Sequence, residues 1–320
     1  MNRSCAVAAM REVASFGANP GALRMMLCTP PNVGPDAALV VVLHGGGQSA
    51  QEYAHGAGWL ALAHRFGFVV LCPEQTCANN CFGCFNWFAA ADVDREGGEA
   101  QSIASMVAHV RATRSIDPAR IHVTGLSSGG AMAAVMLATY PEVFAAGAII
   151  AGLPYGAAMN PFEAMQAMSS GSRLPSAALG DLVRAASSHD GPWPTVAIWH
   201  GDDDTTIRPG SAGDLARQWA DVHGAVTMAA DDRSDAGHRT DLWRAPGGLV
   251  AVERHLIAHM AHGVALMIGG ADGCGTAGRH LLDVGVSSSG EIARGWGLSP
   301  TERPFIAASR AVASPASVAA

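Results

Sequence analysis

The sequence has little charge and no long apolar run. Charged residues make up only 15% of the 320 positions, and no run of Lys or Arg exceeds two residues. A nucleic-acid footprint or a basic membrane-binding patch would need clustered cations, and a membrane span would need ~20 consecutive apolar residues. We therefore expect no nucleic-acid or membrane partner, and a small or neutral ligand instead.

The amino terminus has no recognisable export signal. Its short apolar run, residues 5–10, is followed directly by Arg11 and Glu12. This run is too short for the apolar region of a signal peptide. We therefore expect a cytoplasmic protein, with secretion as the alternative.

The seven cysteines form only one close cluster, which consists of Cys77, Cys81 and Cys84. Three thiolates could bind a metal ion, but a structural zinc site requires four ligands, and no suitably spaced Cys or His follows nearby. We therefore expect no metal. The cysteines are expected to be free thiols, or to include one local disulfide in an oxidising compartment.

Alternating strands and helices predict one α/β domain. Apolar residues make up 49% of the chain, which is enough for a sizeable core. The predicted strands are 22–28, 38–43, 67–72, 120–124, 145–153, 195–199 and 249–257, and helical spacing runs through 59–63, 103–110, 130–138, 212–223 and 289–296. Several of these strands are continuous aliphatic runs, typical of burial on both faces. The pattern predicts a doubly wound, mainly parallel sheet.

The domain is assigned to residues 15–300, with a lead-in at 1–14 and a flexible tail at 301–320. The strand at 67–72 is expected to stop at Pro73, and the irregular stretch 74–98 that follows is expected to form a pocket wall. Residues 156–192 either cap the site as a small helical insertion or pack on the surface. The polar, Asp-rich stretch after residue 223 is assigned no strand.

The pentapeptide from Gly125 to Gly129 has the Gly-x-Ser-x-Gly pattern and stands between a predicted strand and a predicted helix. Glycines at both ends let the strand and the helix approach without a Cβ clash. This arrangement predicts a nucleophile elbow, with Ser127 at the carboxyl edge of a parallel sheet and the amides of the following helix facing its target.

A serine nucleophile needs a base and a carboxylate that orients the base. In this fold class they follow the serine in the order carboxylate, then histidine. Asp202, Asp203 and Asp204 come directly after a predicted strand. The His-Gly-x-x-Asp spacing favours Asp204, with the other two as alternatives.

Two histidines occupy the loop that leaves the last predicted strand, His259 and His262. Gly263 gives the backbone room for the imidazole of His262 to lean towards the elbow, so we favour His262 over His259. The other histidines after residue 204 lie on a helix, within or before the last strand, or far beyond it; they are His223, His255, His238 and His280.

An ester-hydrolysis intermediate carries a negative oxygen that needs two or more preset donors. The amide of Ser128 is one candidate. The glycine turn after His44 supplies the other, and we choose Gly46, with Gly45 and Gly47 as alternatives. Trp87 either lines the substrate pocket or serves as a core residue of its long loop.

Several motifs together resemble the polyhydroxybutyrate depolymerase family of esterases, which is related to feruloyl and acetylxylan esterases. They are Leu43-His-Gly-Gly-Gly-Gln48, Gly58-Trp59, Val70-Leu-Cys-Pro-Glu-Gln75, Cys84-Phe-Asn-Trp-Phe88, Gly125-Leu-Ser-Ser-Gly-Gly130, Trp199-His-Gly-Asp-Asp-Asp204, Met260-Ala-His-Gly263 and Leu282-Asp-Val-Gly-Val286. The resemblance covers about residues 15–300. It implies an α/β-hydrolase fold and carboxylic-ester hydrolysis without a cofactor, with Ser127, Asp204 and His262 at the matching positions.

The chain departs from the family pattern at two positions. Members commonly have Cys where Gly46 stands and pair it with a cysteine equivalent to Cys84, so Cys84 is here either free or paired with Cys77 or Cys81. His259 stands where the family tends to have Gly, which adds a second imidazole beside the expected base.

The sequence therefore predicts a serine esterase that acts on short acyl esters or hydroxyalkanoate oligomers. A feruloyl or acetylxylan type of carbohydrate esterase and an acyltransferase are the alternatives, and a non-catalytic binding module on a hydrolase scaffold is a remote one. The oligomeric state stays open.

Overall fold

The computed structural model describes residues 10–227, 237–270 and 273–299. Within these ranges a ten-stranded sheet lies between two layers of helices, beside a separate two-stranded sheet. The strands are β1 (Arg11–Val13), β2 (Arg24–Cys28), β3 (Ala37–Leu43), β4 (Val69–Glu74), β5 (Ile116–Leu126), β6 (Ala146–Ile150), β7 (Thr195–Gly201), β8 (Val226–Thr227), β9 (His238–Arg244), β10 (Val250–Ile257), β11 (Val264–Leu266) and β12 (Leu281–Asp283). The helices are α1 (Ala50–Gly56), α2 (Trp59–Phe66), α3 (Ala90–Val93), α4 (Gly98–Thr113), α5 (Ser128–Thr139), α6 (Pro161–Ser170), α7 (Ser176–Ala185), α8 (Gly210–Val222) and α9 (Ser288–Gly295). None of these helices has both the length and the apolar character to cross a bilayer.

The large sheet has the strand order β1-β2-β4-β3-β5-β6-β7-β10-β9-β8. From β4 to β10 in this order, each strand runs parallel to its neighbour. At the two edges, β1 and β2 on one side and β9 and β8 on the other pair antiparallel. The predicted doubly wound, mainly parallel sheet is confirmed.

The central strand β3 shows how the sequence places the core. All seven of its residues are buried, because successive side chains point to opposite faces and helices cover both. Leu39 and Val41 pack in the apolar layer that contains α4, α5 and α8. Val40 and Val42 pack in the layer that contains α1, α2 and α9. With both faces covered, the carboxyl ends of the parallel strands remain as the rim where loops can form a site.

Five strands of the structure were not expected, namely β1, β8, β9, β11 and β12, and β4 ends later than expected. β4 continues past Pro73, because it pairs with β3 only over residues 69–71 and beyond that point only with β2, so the missing N–H of proline is tolerated. β9 lies in the polar stretch that was assigned no strand; only two of its seven residues are buried, so its apolar signal is weak. Residues 11–13 of the predicted lead-in form β1.

Residues 156–192 contain α6 and α7, which differ in how they pack. Leu179 and Val183 of α7 are buried, and α7 lies against α8. By contrast, α6 leaves Phe162 and Met165 exposed by 78% and 72%. A cavity of about 250 Å³ lies between this segment and α8, and its lining includes none of the predicted site residues.

Candidate active site

The predicted strand-to-helix turn is present at Ser127. β5 ends at Leu126, α5 begins at Ser128, and Ser127 between them has φ 56° and ψ −117°. A non-glycine residue in this region carries roughly 1–3 kcal/mol of strain, so the surrounding structure must hold it in place. The Ser127 N–H donates to the Ile150 carbonyl at 2.9 Å, and the Ser127 carbonyl accepts from the Ala131 N–H at 2.9 Å. The half-buried serine is therefore held at the end of the central sheet.

Glycine is required at both ends of the pentapeptide. A Cβ on Gly125 would stand 2.2 Å from the Gly129 carbonyl oxygen, and a Cβ on Gly129 would stand 2.3 Å from the Leu43 carbonyl oxygen. Both contacts involve backbone atoms, which cannot turn aside. The close approach of strand and helix that the sequence predicted is therefore a property of these two positions.

Asp204 and His262 meet although 58 residues separate them. Asp204 Oδ2 lies 2.7 Å from His262 Nδ1, and both side chains are buried. Asp204 Oδ1 accepts hydrogen bonds from the backbone N–H groups of Thr206 at 2.8 Å and Ile207 at 2.9 Å. The carboxylate is thus fixed by its own turn, with one oxygen directed at the imidazole.

The environment of Asp204 keeps it ionised. Burial by itself would raise the pKa of this carboxyl group, but hydrogen bonds from His200 and His262 outweigh it and hold the pKa well below its usual range. His200 Nε2 lies 3.2 Å from Asp204 Oδ2 and 2.9 Å from the Ile207 carbonyl oxygen. The role of His200 was not predicted, and the one sequence signal for it is its position four residues before Asp204.

The alternatives to this pair lie at the surface. The side chain of His259 is 91% exposed, and its Nδ1 is 3.7 Å from Asp203 Oδ2. Asp202 Oδ1 accepts from the His259 backbone N–H at 2.6 Å. Asp202 and Asp203 therefore contact His259 and stabilise the loop after β10, whereas Asp204 contacts His262.

The structure gives Gly263 a different role from the expected one. Gly263 was expected to leave room for the imidazole. Instead, a Cβ on Gly263 would stand 2.7 Å from the carbonyl oxygen of His280, and His280 Nδ1 lies 3.0 Å from the carbonyl oxygen of His262. The glycine therefore permits the close approach of the His280 segment, which holds the backbone of His262.

The glycine turn after β3 is held by a buried histidine. His44 Nδ1–H donates to the Gly45 carbonyl at 2.8 Å, and His44 Nε2 accepts from the Gln75 N–H at 3.0 Å. Burial lowers the pKa of His44, which keeps the imidazole neutral and able to accept. The turn is therefore braced against the loop that begins at Gln75.

The candidate oxyanion donors differ in their backbone hydrogen bonds. The Gly45 N–H donates to Gln48 Oε1 at 2.9 Å, so this amide already has an acceptor. The Gly46 N–H has no acceptor among the described residues. Ser128 is the first residue of α5, and amides of a first helical turn have no intrahelical acceptor. Gly46 and Ser128 thus keep donors for a ligand.

Trp87 is buried and only 7% exposed, within the apolar core and edge-on to Phe88 at 5.4 Å. Of its two predicted roles, this position favours the core residue over the pocket residue.

Cys77, Cys81 and Cys84 form no disulfide bond, so Cys84 is a free thiol and is not paired with Cys77 or Cys81. Within the described residues the three thiols do not converge as a metal site.

Glu99 is a buried carboxyl group that sequence reasoning missed. Its oxygens accept from Gln75 Nε2 at 2.5 Å, Asn79 Nδ2 at 3.1 Å and the Asn86 N–H at 2.8 Å. Burial raises its pKa to about 8, although these hydrogen bonds oppose the shift. Glu99 therefore links the first turn of α4 to the loop 75–88.

A serine on a sharp turn after a central parallel strand, with a later Asp and His at the same rim, defines an α/β-hydrolase. A solved acetyl xylan esterase from Aspergillus awamori has this fold. It matches with a TM-score of 0.76 and 23% identity, over 91% of this chain and 100% of that chain.

Sequence comparison is more specific. The model of the esterase PHB depolymerase family matches residues 23–242. The chain is 41% identical to poly(3-hydroxyalkanoate) depolymerase C of Paucimonas lemoignei, over 92% of this chain and 72% of that protein. It is 33% identical to feruloyl esterase B of Thermothelomyces thermophilus, over 69% and 77% of the two chains. The chain belongs to the PHB depolymerase family of esterases and is a carboxylic ester hydrolase.

Proposed function

We propose that the chain hydrolyses short acyl esters or hydroxyalkanoate oligomers through an acyl-enzyme on Ser127. The observation that carries this proposal is the 2.7 Å contact between Asp204 Oδ2 and His262 Nδ1, at the same rim as the elbow serine. An oriented imidazole and a serine held at an elbow are two of the requirements of covalent ester hydrolysis.

His262 is the general base in this mechanism. Its Nδ1–H donates to Asp204, which leaves the Nε2 lone pair to accept the Ser127 proton. The Ser127 oxygen attacks the ester carbonyl, and the buried carboxylate of Asp204 stabilises the imidazolium that forms. His262 then protonates the leaving alcohol, the acyl-enzyme remains, and a water molecule activated by the same imidazole releases the acid.

The amides of Gly46 and Ser128 hold the negative oxygen of the tetrahedral intermediates. Loss of one such donor costs on the order of 3 kcal/mol in the transition state. Support comes from the Gly46 N–H, which has no acceptor among the described residues, and from the position of Ser128 at the start of α5. Gly47 remains the alternative to Gly46, whereas the bond to Gln48 argues against Gly45.

Hydroxyalkanoate esters are the first substrate candidate, because the relative at 41% identity carries the name of a poly(3-hydroxyalkanoate) depolymerase and spans 92% of this chain. A carbohydrate esterase is the second candidate. Relatives named feruloyl esterase and acetylxylan esterase share 33% and 36% identity with the chain. Acyl transfer to an alcohol other than water would use the same residues.

The experiment compares turnover of p-nitrophenyl butyrate, hydroxybutyrate oligomers, a feruloyl ester and acetylated xylan by one preparation. Ser127→Ala should abolish turnover of every accepted ester, and Ser169→Ala, an exposed serine on α6, should retain it. A fluorophosphonate should label Ser127 in wild type. Equal turnover by Ser127→Ala and wild type would refute the role of Ser127, and added alcohols would reveal acyl transfer as a transesterified product.

A further inference from the structure

Two histidines and a glutamate converge outside the active site. They are His238 on β9, His255 on β10 and Glu291 on α9, and their ligand atoms all lie within 4.8 Å of one another. His255 is buried, and the other two are partly exposed. The cluster lies between the antiparallel edge of the sheet and the last described helix, and the proposed reaction does not use it.

The ring of His255 is fixed with one nitrogen directed at the cluster. It stacks on Trp199 with a centroid distance of 3.9 Å and an interplanar angle of 8°. His255 Nε2 lies 3.3 Å from Glu253 Oε2, and His255 Nδ1 lies 2.9 Å from His238 Nε2. A carboxylate that accepts the proton of one ring nitrogen leaves the other as a lone-pair donor, which is the usual second-shell arrangement of a metal-binding histidine.

The charge of the cluster also favours a cation. Glu253 is nine-tenths buried, and its Oε1 has no hydrogen-bond partner in the ranges that the structure describes. Glu291 brings a second carboxylate to the same place. A buried carboxylate oxygen without a partner, such as Glu253 Oε1, is costly, and a divalent cation bound by the imidazoles and Glu291 would reduce that cost by bringing positive charge to the His255 ring that Glu253 contacts.

We propose that His238, His255 and Glu291 bind a divalent transition-metal ion, with Zn²⁺ as the first candidate. Two imidazole nitrogens and a carboxylate oxygen are suitable zinc ligands and leave a fourth position for water. Two nitrogens bound to one tetrahedral zinc at 2.0–2.1 Å would be about 3.3 Å apart, so the present 2.9 Å separation needs to open by only a few tenths of an ångström.

No spacing motif in the sequence indicates this cluster, because its three residues come together only in the folded chain. His238 and His255 lie on the same face of an antiparallel pair, because His238 is opposite Ile257 and His255 is opposite Thr240. Glu291 comes from a separate helix. The sequence predicted no metal because only the clustered cysteines suggested one. A bound ion would link β9 and β10 to α9, and so stabilise the end of the domain.

The test uses the full chain, stripped with a chelator and dialysed against micromolar ZnCl₂. Elemental analysis should find one zinc per chain in wild type, and Co²⁺ should give the visible absorption of a tetrahedral site. His238→Ala and Glu291→Gln should each weaken Zn²⁺ binding at least tenfold. The matched control is His259→Ala, which removes the histidine of the exposed cluster with Asp202 and Asp203 and should bind zinc as wild type does.

Glu291→Gln preserves the size of a partly exposed helical side chain and should fold. Circular dichroism shows whether His238→Ala folds, and if it does not, Glu291→Gln alone decides the test. The wild-type melting temperature should rise with added Zn²⁺, and that of Glu291→Gln should not. Less than half an equivalent of bound zinc in wild type, unchanged affinity in Glu291→Gln, or loss of the zinc in His259→Ala would each overturn the proposal.

Discussion

A Cβ atom on Gly46 would stand 2.5 Å from Cys84 Sγ. The family resemblance implies a cysteine at this position paired with one equivalent to Cys84, and the structure places Cys84 Sγ directly beside Gly46. Gly46 is also the residue whose N–H is proposed to hold the negative oxygen of the intermediate. This proximity places Cys84 of the loop 75–88 beside the turn that is proposed to supply the oxyanion donor.

We expect Gly46→Cys to form a disulfide with Cys84 under mild oxidation. The bridge would close a loop of 38 residues, for which chain entropy predicts up to roughly 4 kcal/mol of stabilisation, and it should raise the melting temperature only without reductant. Intact-mass analysis and thermal denaturation with and without dithiothreitol measure both effects. Gly46→Cys combined with Cys84→Ala is the control. A rise in melting temperature that survives reduction would contradict this explanation.

Asp204→Asn should lower kcat on the order of 10³–10⁴-fold, because an amide in this place favours the wrong tautomer of His262 and cannot stabilise the imidazolium. Asp203→Asn changes an exposed carboxylate 3.7 Å from His259 and should leave kcat within about twofold. Steady-state kinetics on p-nitrophenyl butyrate separate the two. An inactive Asp203→Asn beside an active Asp204→Asn would assign the carboxylate role to Asp203.

The histidine is tested separately. His262→Ala should reduce kcat to the level of Ser127→Ala, because both remove part of one proton-transfer unit. His259→Ala removes an exposed ring that contacts only surface carboxylates in the described structure and should retain most of the activity. Measured with the same ester, the opposite order would make His259 the base and would place the 2.7 Å contact of Asp204 outside the mechanism.

The strands and helices next to the active site could be predicted because their patterns are local. The continuous apolar runs of β3 and β7 need both faces covered, and the glycines around Ser127 need a close strand–helix approach. These are properties of a few neighbouring residues. The pair of Asp204 and His262 could be predicted from their order in the chain and their positions after strands, because the carboxyl ends of parallel strands lie at the same edge of the sheet.

The features that sequence reasoning missed depend on distant partners. β9 has mostly polar or exposed residues and becomes a strand because β10 and β8 pair with it. Glu99 reads as an ordinary acidic residue in a first helical turn, and it is buried only because residues 75–88 fold over it. The cluster of His238, His255 and Glu291 has no spacing pattern, since three elements supply it.

Gly129→Ala should destabilise the protein by several kcal/mol, because its new methyl group would stand 2.3 Å from the Leu43 carbonyl oxygen and 2.4 Å from the His44 carbonyl oxygen. The control is Gly210→Ala at the start of α8, where a Cβ would meet no atom within 4 Å, and its stability should change by less than about 1 kcal/mol. Urea denaturation measures both. A stable Gly129→Ala with normal kinetics would mean that strand and helix can separate without loss of the elbow.

The buried carboxyl group of Glu99 should make the stability of the protein fall as pH rises. Burial raises its pKa from 4.5 to about 8 in the folded state, so the folded chain binds a proton in a range where the unfolded chain has released it. The free energy of unfolding then decreases by a few kcal/mol at most between about pH 5 and pH 8, and it levels off above that range.

Glu99→Gln removes this titration, and the stability of this variant should depend less on pH between about pH 5 and pH 8 than that of wild type. Glu96→Gln, an exposed acid three residues earlier, should keep the wild-type dependence. Urea titrations at pH 5, 6, 7 and 8 measure the difference, and parallel curves for wild type and Glu99→Gln would show that the carboxyl group is ionised throughout, held by its three hydrogen-bond donors.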